Sequence, residues 1–380
     1  MIITNKNKLD ELIVKAVSSN YEYKDKKYSV TSMLSDFKEV ILKRRHQHEI
    51  VNDVSEMVWL MFGTAFHEFM EKQEVDYVEV KENVYRFFCE LVKETKIEYE
   101  GLKNGETKAH YFIKPKLKES HLSFHCSSSP YIMTGYSDLY NILTNEVVDY
   151  KTASVNKVLY KTWDDYIKQL KLYAVALNQM GYPCNKGRLI VFLKDWNRTK
   201  YLQSPKTYPN CPIYEISFEF TYGELAETKQ WIENYFKQIE VLEQKNDDEI
   251  PECDQEVRTF GKKSTYAVMK NDNKKAVKSG FETKEEANIY IRYNKLDLDT
   301  KNTYWIQDRP SEEIRCLNYC DSCHWCHHFK NKYAKAFLVD EFGKQIVGFK
   351  DENEARYFQE NVEKYKNLKI VVKEVNENDQ

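Results

Sequence analysis

Two carboxylates and a lysine, Asp138, Asp149 and Lys151, lie within a short stretch of this chain, and a Gln/Tyr pair follows at Gln169 and Tyr173. Lys151 is two residues beyond Asp149, so on a strand both side chains leave the same face. Gln169 and Tyr173 are four apart, so on a helix they share a face. Phosphodiester hydrolysis needs an activated water, neutralisation of the charge growing at phosphorus, and help for the leaving oxygen. A Mg²⁺ or Mn²⁺ ion held by carboxylates supplies all three, and hard oxygen donors suit those ions. A lysine beside them orients the water and offsets negative charge in the transition state.

Spacing alone discriminates little. About seven to nine acid-x-Lys triplets are expected by chance in so charged a chain, and the plain alternative is an exposed strand with a surface ion pair. Context separates the two. Asp149 follows Val147-Val148, and Gly135-x-x-Asp138 lies just before it. Upstream, Gly63-x-x-x-His67 falls in an apolar helical repeat. A lone histidine on such a helix is ordinarily a satisfied core residue; with the acids downstream it becomes a candidate metal ligand.

A second group of chemically active residues is Cys316-x3-Cys320-x2-Cys323-x2-Cys326, with His324 inside it and His327-His328 directly after. Four free buried cysteines at that density would be unusual. With no signal-peptide layout at Met1-Ile2-Ile3-Thr4-Asn5-Lys6, the expected compartment is the cytoplasm, where clustered cysteines point to metal and not to disulfides. Zn²⁺ on four thiolates, or on three and a histidine, competes with a [4Fe–4S] cluster on four thiolates. Cys126, Cys184 and Cys211 read as ordinary buried or surface residues.

The elements that must position these residues follow from periodicity. Val54, Met57, Val58, Met61, Ala65 and Phe69 predict a helix over 54–74 that carries His67, Glu68 and Glu71. A further helix is expected over about 78–95. Residues 108–150 read as strands with a turn at Thr144-Asn145, and 164–181 as an amphipathic helix stopped by Gly181 and Pro183. Leu189–Leu193 is a compact apolar strand and 222–245 a long helix. Beyond that, Gly280-Phe281-Glu282-Thr283-Lys284-Glu285-Glu286-Ala287 resembles Gly348-Phe349-Lys350-Asp351-Glu352-Asn353-Glu354-Ala355 at an offset of 68 residues. Two ββαβ-like units flanking the cysteines are expected; chance likeness of two acidic N-capped helices is the alternative. About Val375–Gln380 is expected to be a frayed tail.

With 380 residues, 42% of them hydrophobic, the chain has room for a core domain and appended modules. The expected division is an N-terminal helical or cap segment over 1–50, a catalytic core over 51–250, a cysteine region with an inserted unit over 251–330, and a C-terminal unit over 331–380. The net charge of −3 excludes global attraction to nucleic acid, so contact must come from a local basic patch. Lys194–Lys206, where Lys194, Arg198, Lys200 and Lys206 mix with Trp196 and Tyr201, is one candidate; a solvated loop is the other reading. No apolar run reaches the roughly 18–20 residues of a membrane span, so no membrane partner is expected.

The order Gly63-x-x-x-His67, Gly135-x-x-Asp138, Asp149-x-Lys151, Gln169-x-x-x-Tyr173 resembles the RecB-like branch of the PD-(D/E)XK nuclease superfamily. CRISPR-associated RecB-like exonucleases and AddB-type nuclease domains share this order, and the N-terminal stretch with the cysteine-rich end looks most like bacteriophage-encoded members. The resemblance covers about 29–195 and, more weakly, the cysteines. It implies an α/β fold: a restriction-endonuclease-like core with a central mixed sheet flanked by helices, a metal-binding cysteine cluster, and small α+β units appended. It further implies Mg²⁺ or Mn²⁺ on His67, Asp138, Asp149 and the main-chain carbonyl of Tyr150. Lys151 would be the catalytic lysine, with Gln169 and Tyr173 contacting DNA or orienting it. Asp149 stands where many members carry Glu.

Such nucleases often hold an iron–sulfur cluster on one distant cysteine and three near the C-terminal end. No cysteine precedes His67 here, and Cys89 falls mid-helix in the predicted 78–95 element, which makes Cys253 the better distant ligand beside Cys316, Cys320 and Cys326. Cys323 is then spare or replaces one of them.

The expected function is therefore a metal-dependent exonuclease acting on single-stranded DNA or duplex ends in bacterial or phage DNA replication, recombination or repair. The chain has no Gly-rich phosphate loop ending in Lys-Ser/Thr, so unwinding would fall to a helicase or recombination partner. The alternative is a non-catalytic nucleic-acid-binding or adaptor protein with a metal-stabilised C-terminal module.

Overall fold

Leu189–Leu193 is apolar on both faces, which suits a strand covered on both sides, and it lies inside the main sheet of the computed structural model. The structure describes residues 1–17, 23–89, 94–103 and 105–373. They fall into two units, Met1–Ser35 with Val51–Gln244, and Asp36–Ile50 with Lys245–Gln380. Among the described residues no helix is long and apolar enough to cross a membrane.

The first unit is built on β1 (Lys27–Ser29), β2 (Lys116–His125), β3 (Ile132–Asn141), β4 (Glu146–Ala153), β5 (Lys186–Leu193) and β6 (Ile213–Glu219). The sheet is mixed: β5 pairs parallel with β4 and antiparallel with β6, β3 pairs antiparallel with β2 and β4, and β1 pairs parallel with β3. Helices α1 (Val54–Glu71), α2 (Asp164–Gln179) and α3 (Tyr222–Leu242) accompany it. This is a mixed α/β architecture with a mixed central sheet flanked by helices.

Local chemistry sets the helix starts. Asp53 accepts the Ser55 N–H at 3.1 Å ahead of α1, and Thr221 with Glu224 forms a reciprocal capping box ahead of α3. Leu170, Ala174 and Leu177 of α2 are buried with Val147, Val148, Leu189 and Val191 of the sheet. Gly187 is required here, because a Cβ would stand 3.0 Å from Leu170 Cδ1 and 2.8 Å from the Phe220 ring.

The predicted helix over 78–95 is not formed. Val78–Val80 is a strand, Glu82–Phe88 a short helix and Thr95–Gly101 a strand, and the two strands join Thr107–Ile113 in a separate three-stranded sheet. The alternation Thr95-Lys96-Ile97-Glu98-Tyr99 has the period of a strand, and it outweighs the helical spacing before it. Residues 90–93 of that expected helix lie outside the described residues.

In the second unit, β7 (Thr265–Lys270), β8 (Lys278–Phe281), α4 (Lys284–Tyr293) and β9 (Tyr304–Arg309) form one ββαβ unit. A second comprises β10 (Ala336–Val339), β11 (Gln345–Phe349), α5 (Glu352–Asn361) and β12 (Lys369–Val372). The strand orders are β8-β7-β9 and β11-β10-β12, antiparallel throughout. The repeated residues are the helix starts. Thr283 accepts the Glu286 N–H and Asp351 accepts the Glu354 N–H, while the two glutamates accept the N–H of Glu282 and Lys350. The expected tail over Val375–Gln380 lies outside the described residues.

Candidate active site

Strands β3 and β4 form a hairpin paired only at Leu139↔Val148, Tyr140↔Val147 and Asn141↔Glu146. Beyond Val148, β4 leaves β3 and continues along β5, with Asp149↔Leu189, Tyr150↔Ile190 and Lys151↔Val191 in register. Asp138 and Asp149 therefore flank the point where the two strands fork. Asp138 spans the fork: its Oδ2 accepts the main-chain N–H of Tyr150 at 2.5 Å.

α1 brings His67 to the same point. Phe66 packs on Phe192, with ring centroids 4.4 Å apart, and on Tyr150 at 6.2 Å, which fixes the helix against β4 and β5. The next residue, His67, places Nδ1 3.1 Å from Asp138 Oδ1. That contact is the main reason the imidazole titrates above its ordinary value.

Asp149 is 1% exposed, and Lys151 Nζ lies 2.7 Å from its Oδ2. Burial, with the Asp138 charge adding to it, pushes the Asp149 carboxyl up to about 6 in spite of the lysine. On α2, Gln169 Nε2 donates to the Tyr173 hydroxyl at 2.6 Å. Both are buried, and burial beside Asp149 holds the Tyr173 phenol protonated. Gly135 makes room for that ring: a Cβ there would lie 3.1 Å from Tyr173 Cε1. The four elements thus bring His67, Asp138, Asp149, Tyr150, Lys151, Gln169 and Tyr173 to one end of the sheet.

Two residues here were not anticipated from sequence. Tyr166, one turn before Gln169, has its ring 5.5 Å from Lys151 Nζ. Glu119 of β2 lies across from Asp138, between the register pairs Lys118↔Leu139 and Ser120↔Ser137. Its Oε1 is 3.9 Å from His67 Nδ1, its backbone is left-handed at φ 42°, and burial next to Asp138 raises its carboxyl. A bulky residue in that conformation is uncommon and clusters at functional sites. No motif announced it, because the signal is a backbone angle and a cross-strand register.

Donor atoms of His67, Glu119 and Asp138 lie within 4.8 Å of one another. One imidazole nitrogen with several carboxylate oxygens suits a hard divalent cation.

The cysteines gather in the second unit. Burial and then the adjacent Asp36 carboxylate raise the Cys253 thiol, and Cys326 and Cys320 lie near enough to add to it. Cys316 is pushed up to about 12 and Cys320 to about 11, burial being the first cause of each. Cys323 is buried with Phe329, Ala334, Phe337 and Val339, with Cys320 and Cys326 packed against that cluster. His324 Nδ1 faces the Gly348 carbonyl at 2.9 Å, and its ring packs on Phe349. Glu313, unanticipated, stands with Cys316 and His328 within 4.8 Å, and its carboxylate accepts from His328 at 2.6 Å and Tyr333 at 2.8 Å. Helix Phe37–Arg45 closes this region through ion pairs from Glu39 to Arg315 and from Lys43 to Asp321.

No family model matches this chain, and no curated protein matches it. Among solved structures it is similar to SSO0001, with a TM-score of 0.35 and 13% identity over 60% of this chain and 84% of that one. It is also similar to a phage-related exonuclease from Haemophilus somnus 129PT, with a TM-score of 0.22 and 11% identity over 33% of this chain and 62% of that one. At those TM-scores neither likeness carries an argument about this chain.

Proposed function

We propose that this chain is a metal-dependent nuclease of the RecB-like PD-(D/E)XK type, acting as an exonuclease on single-stranded DNA or duplex ends. The observation that carries the reading is the strand fork. His67 meets Asp138 there at 3.1 Å, and Lys151 meets the buried Asp149 at 2.7 Å.

His67, Asp138, Asp149 and the Tyr150 carbonyl would hold Mg²⁺ or Mn²⁺. Such an ion, when bound, polarises the phosphodiester and makes its water more acidic. Lys151 orients the attacking water and offsets the charge that grows on the phosphoryl oxygens. Tyr150 holds Asp138 by its N–H, so that Asp138 presents Oδ1 to the site. Gln169 and Tyr173 brace one another and set the position of Lys151 or of the DNA strand.

Cys253, Cys316, Cys320 and Cys326, with Cys323 as the substitute, would hold a structural [4Fe–4S] cluster or Zn²⁺. The setting would be phage or bacterial DNA recombination, replication or repair, with unwinding supplied by a helicase or recombination partner.

The test is release of labelled nucleotides from linear single-stranded and duplex DNA in Mg²⁺ or Mn²⁺, wild type against Lys151→Ala. Metal-dependent release that drops by about 10²–10³ in the variant is expected, the usual scale for losing one transition-state donor. Wild-type protein that leaves both substrates intact in either metal overturns the reading.

A further inference from the structure

Helix α1 has a face left uncovered among the described residues. Of its large apolar side chains, Trp59 is 70% exposed, and Phe62, its ring 5.8 Å away, is exposed as well. Trp59, Gly63 and His67 recur every four residues, so they line one side of the helix. A groove of about 430 Å³ follows that side, from Trp59 past Gly63 and Thr64 to His67 and Glu119. Its floor is open at Gly63, where a Cβ would meet nothing within 4 Å.

The two ends of the groove differ in charge. His67 lies at the cation end, which Glu68, Glu71 and Glu119 make acidic. At the other end the Lys194 ammonium lies 5.5 Å from the centre of the Trp59 ring. Lys194 is held there by its main-chain N–H, which donates to the Ala153 carbonyl at the end of β4 at 2.9 Å. It begins the stretch Lys194–Lys206, which mixes basic and aromatic residues. An exposed aromatic ring with an ammonium over one face, opening into a groove that ends at carboxylates, matches a single nucleic-acid strand that stacks on the other face. A base stacks on the ring, a phosphate meets the lysine, and the next phosphates run toward the cation.

We propose that Trp59 is a base-stacking platform for a single strand entering along α1, with Lys194 as its phosphate contact. Only the direction of travel, toward His67, rests on the nuclease reading. At about 1.5 Å per residue, Trp59 stands about 12 Å from His67 along the helix. The stacked base is therefore about two to four nucleotides from the phosphate at the cation site, from the roughly 3.4 Å rise of a stacked strand to about twice that when extended.

The test is a thermodynamic cycle on the full chain, in a Lys151→Ala background so that the strand is not consumed. Binding of a labelled twelve-residue oligo(dT) is compared with the same strand carrying one abasic site at each successive position. Both are measured with Trp59, Trp59→Phe and Trp59→Ala.

With Trp59 present, one position is expected to weaken binding about 5- to 150-fold when its base is removed. That penalty should largely persist with phenylalanine and vanish with alanine. Equal penalties in all three proteins, or no binding of the strand at all, overturn the proposal. So does a change of sedimentation in Trp59→Ala with unchanged binding, which would make this face an interface between copies. Turnover of the unmodified strand by the protein with Lys151 intact is scored separately. Stacking without turnover removes the nuclease reading and keeps the platform; turnover without coupling does the reverse.

Discussion

Lys151 Nζ lies 2.7 Å from Asp149 Oδ2, and yet the carboxyl of Asp149 remains pushed up to about 6. Burial of the carboxylate and the neighbouring Asp138 charge outweigh the lysine. The folded chain thus holds the Asp149 proton more tightly than the unfolded chain, whose aspartate titrates near 3.9. Stability contributed by the protonated form is present at low pH and is lost as pH rises through roughly 4 to 6. At neutral pH, ionised Asp149 is a cost to the fold that a bound cation would offset.

Asp149→Asn should therefore raise the unfolding temperature of the metal-free protein at pH 7.5. Relief of at least about 1.4 kcal/mol, the worth of one pKa unit, corresponds to about 3–6 °C for a unit of this size. The gain should fade as pH is lowered toward 4, and the same variant should lose metal-dependent cleavage. Thermal unfolding across pH, with EDTA present, checks this. A midpoint that falls at pH 7.5 would mean that the Lys151 pair is worth more than the burial costs.

Cation binding should fall with acid. Asp149 and Glu119 are both raised by burial, and His67 is raised by its contact with Asp138. Each must lose its proton to serve as a ligand. All three shifts act in one direction, so Mn²⁺ affinity should drop at least about tenfold from pH 7.5 to 5.5. Calorimetry or Mn²⁺ spin resonance measures it. A flat profile would remove these groups from the ligand set.

Gly135→Ala should impair activity through Tyr173. The new Cβ would lie 3.1 Å from Tyr173 Cε1 and 3.2 Å from Val30 Cγ2, tighter than most packed contacts, so the ring or Val30 must give by a few tenths of an ångström. Overpacking of this kind costs about 1–3 kcal/mol. The Tyr173–Gln169 bond then moves relative to Lys151. The expected result is a lower kcat with KM little changed, and partial recovery in Gly135→Ala combined with Tyr173→Phe would not occur if the hydroxyl positions the site. Full activity in Gly135→Ala would show that Tyr173 has no positioning role.

The legible parts of this chain were those with a local signal. Apolar Val147-Val148 and Leu189–Leu193 announced buried strands, Gly181 and Pro183 closed α2, and Thr283 and Asp351 marked two helix starts that recur 68 residues apart. Spacing also put Lys151 on the side of Asp149 and Gln169 one turn from Tyr173. What was not legible depends on chain geometry over long range. Glu119 joins the site through a cross-strand register and a left-handed backbone, neither of which leaves a motif. The strand Thr95–Gly101 was masked by the apolar spacing ahead of it. The grouping of Asp36–Ile50 with residues beyond 244 rests on pairs such as Lys38 Nζ with the Ile250 carbonyl at 2.7 Å, more than two hundred positions apart in sequence.

The cysteines lend themselves to a discriminating experiment, because their surroundings differ. Cys253, Cys316 and Cys320 carry thiols raised first by burial, with Asp36 adding to it at Cys253, Cys320 at Cys316 and Glu39 at Cys320, so a bound cation would be needed to favour their thiolates. Cys323 lies within the apolar cluster of Phe329, Phe337 and Val339. Serine at 253, 316, 320 or 326 should therefore release the metal and lower the unfolding temperature of the second unit by roughly 10 °C or more. Cys323→Ser should keep the metal and show only the smaller cost of a hydroxyl in an apolar site, about 1–3 kcal/mol. Metal analysis gives the stoichiometry, and visible absorption separates the two candidates, since Zn²⁺ is d¹⁰ and colourless whereas an iron–sulfur cluster absorbs. Loss of metal in Cys323→Ser with retention in Cys253→Ser would exchange the two residues in the ligand set and detach Cys253 from it.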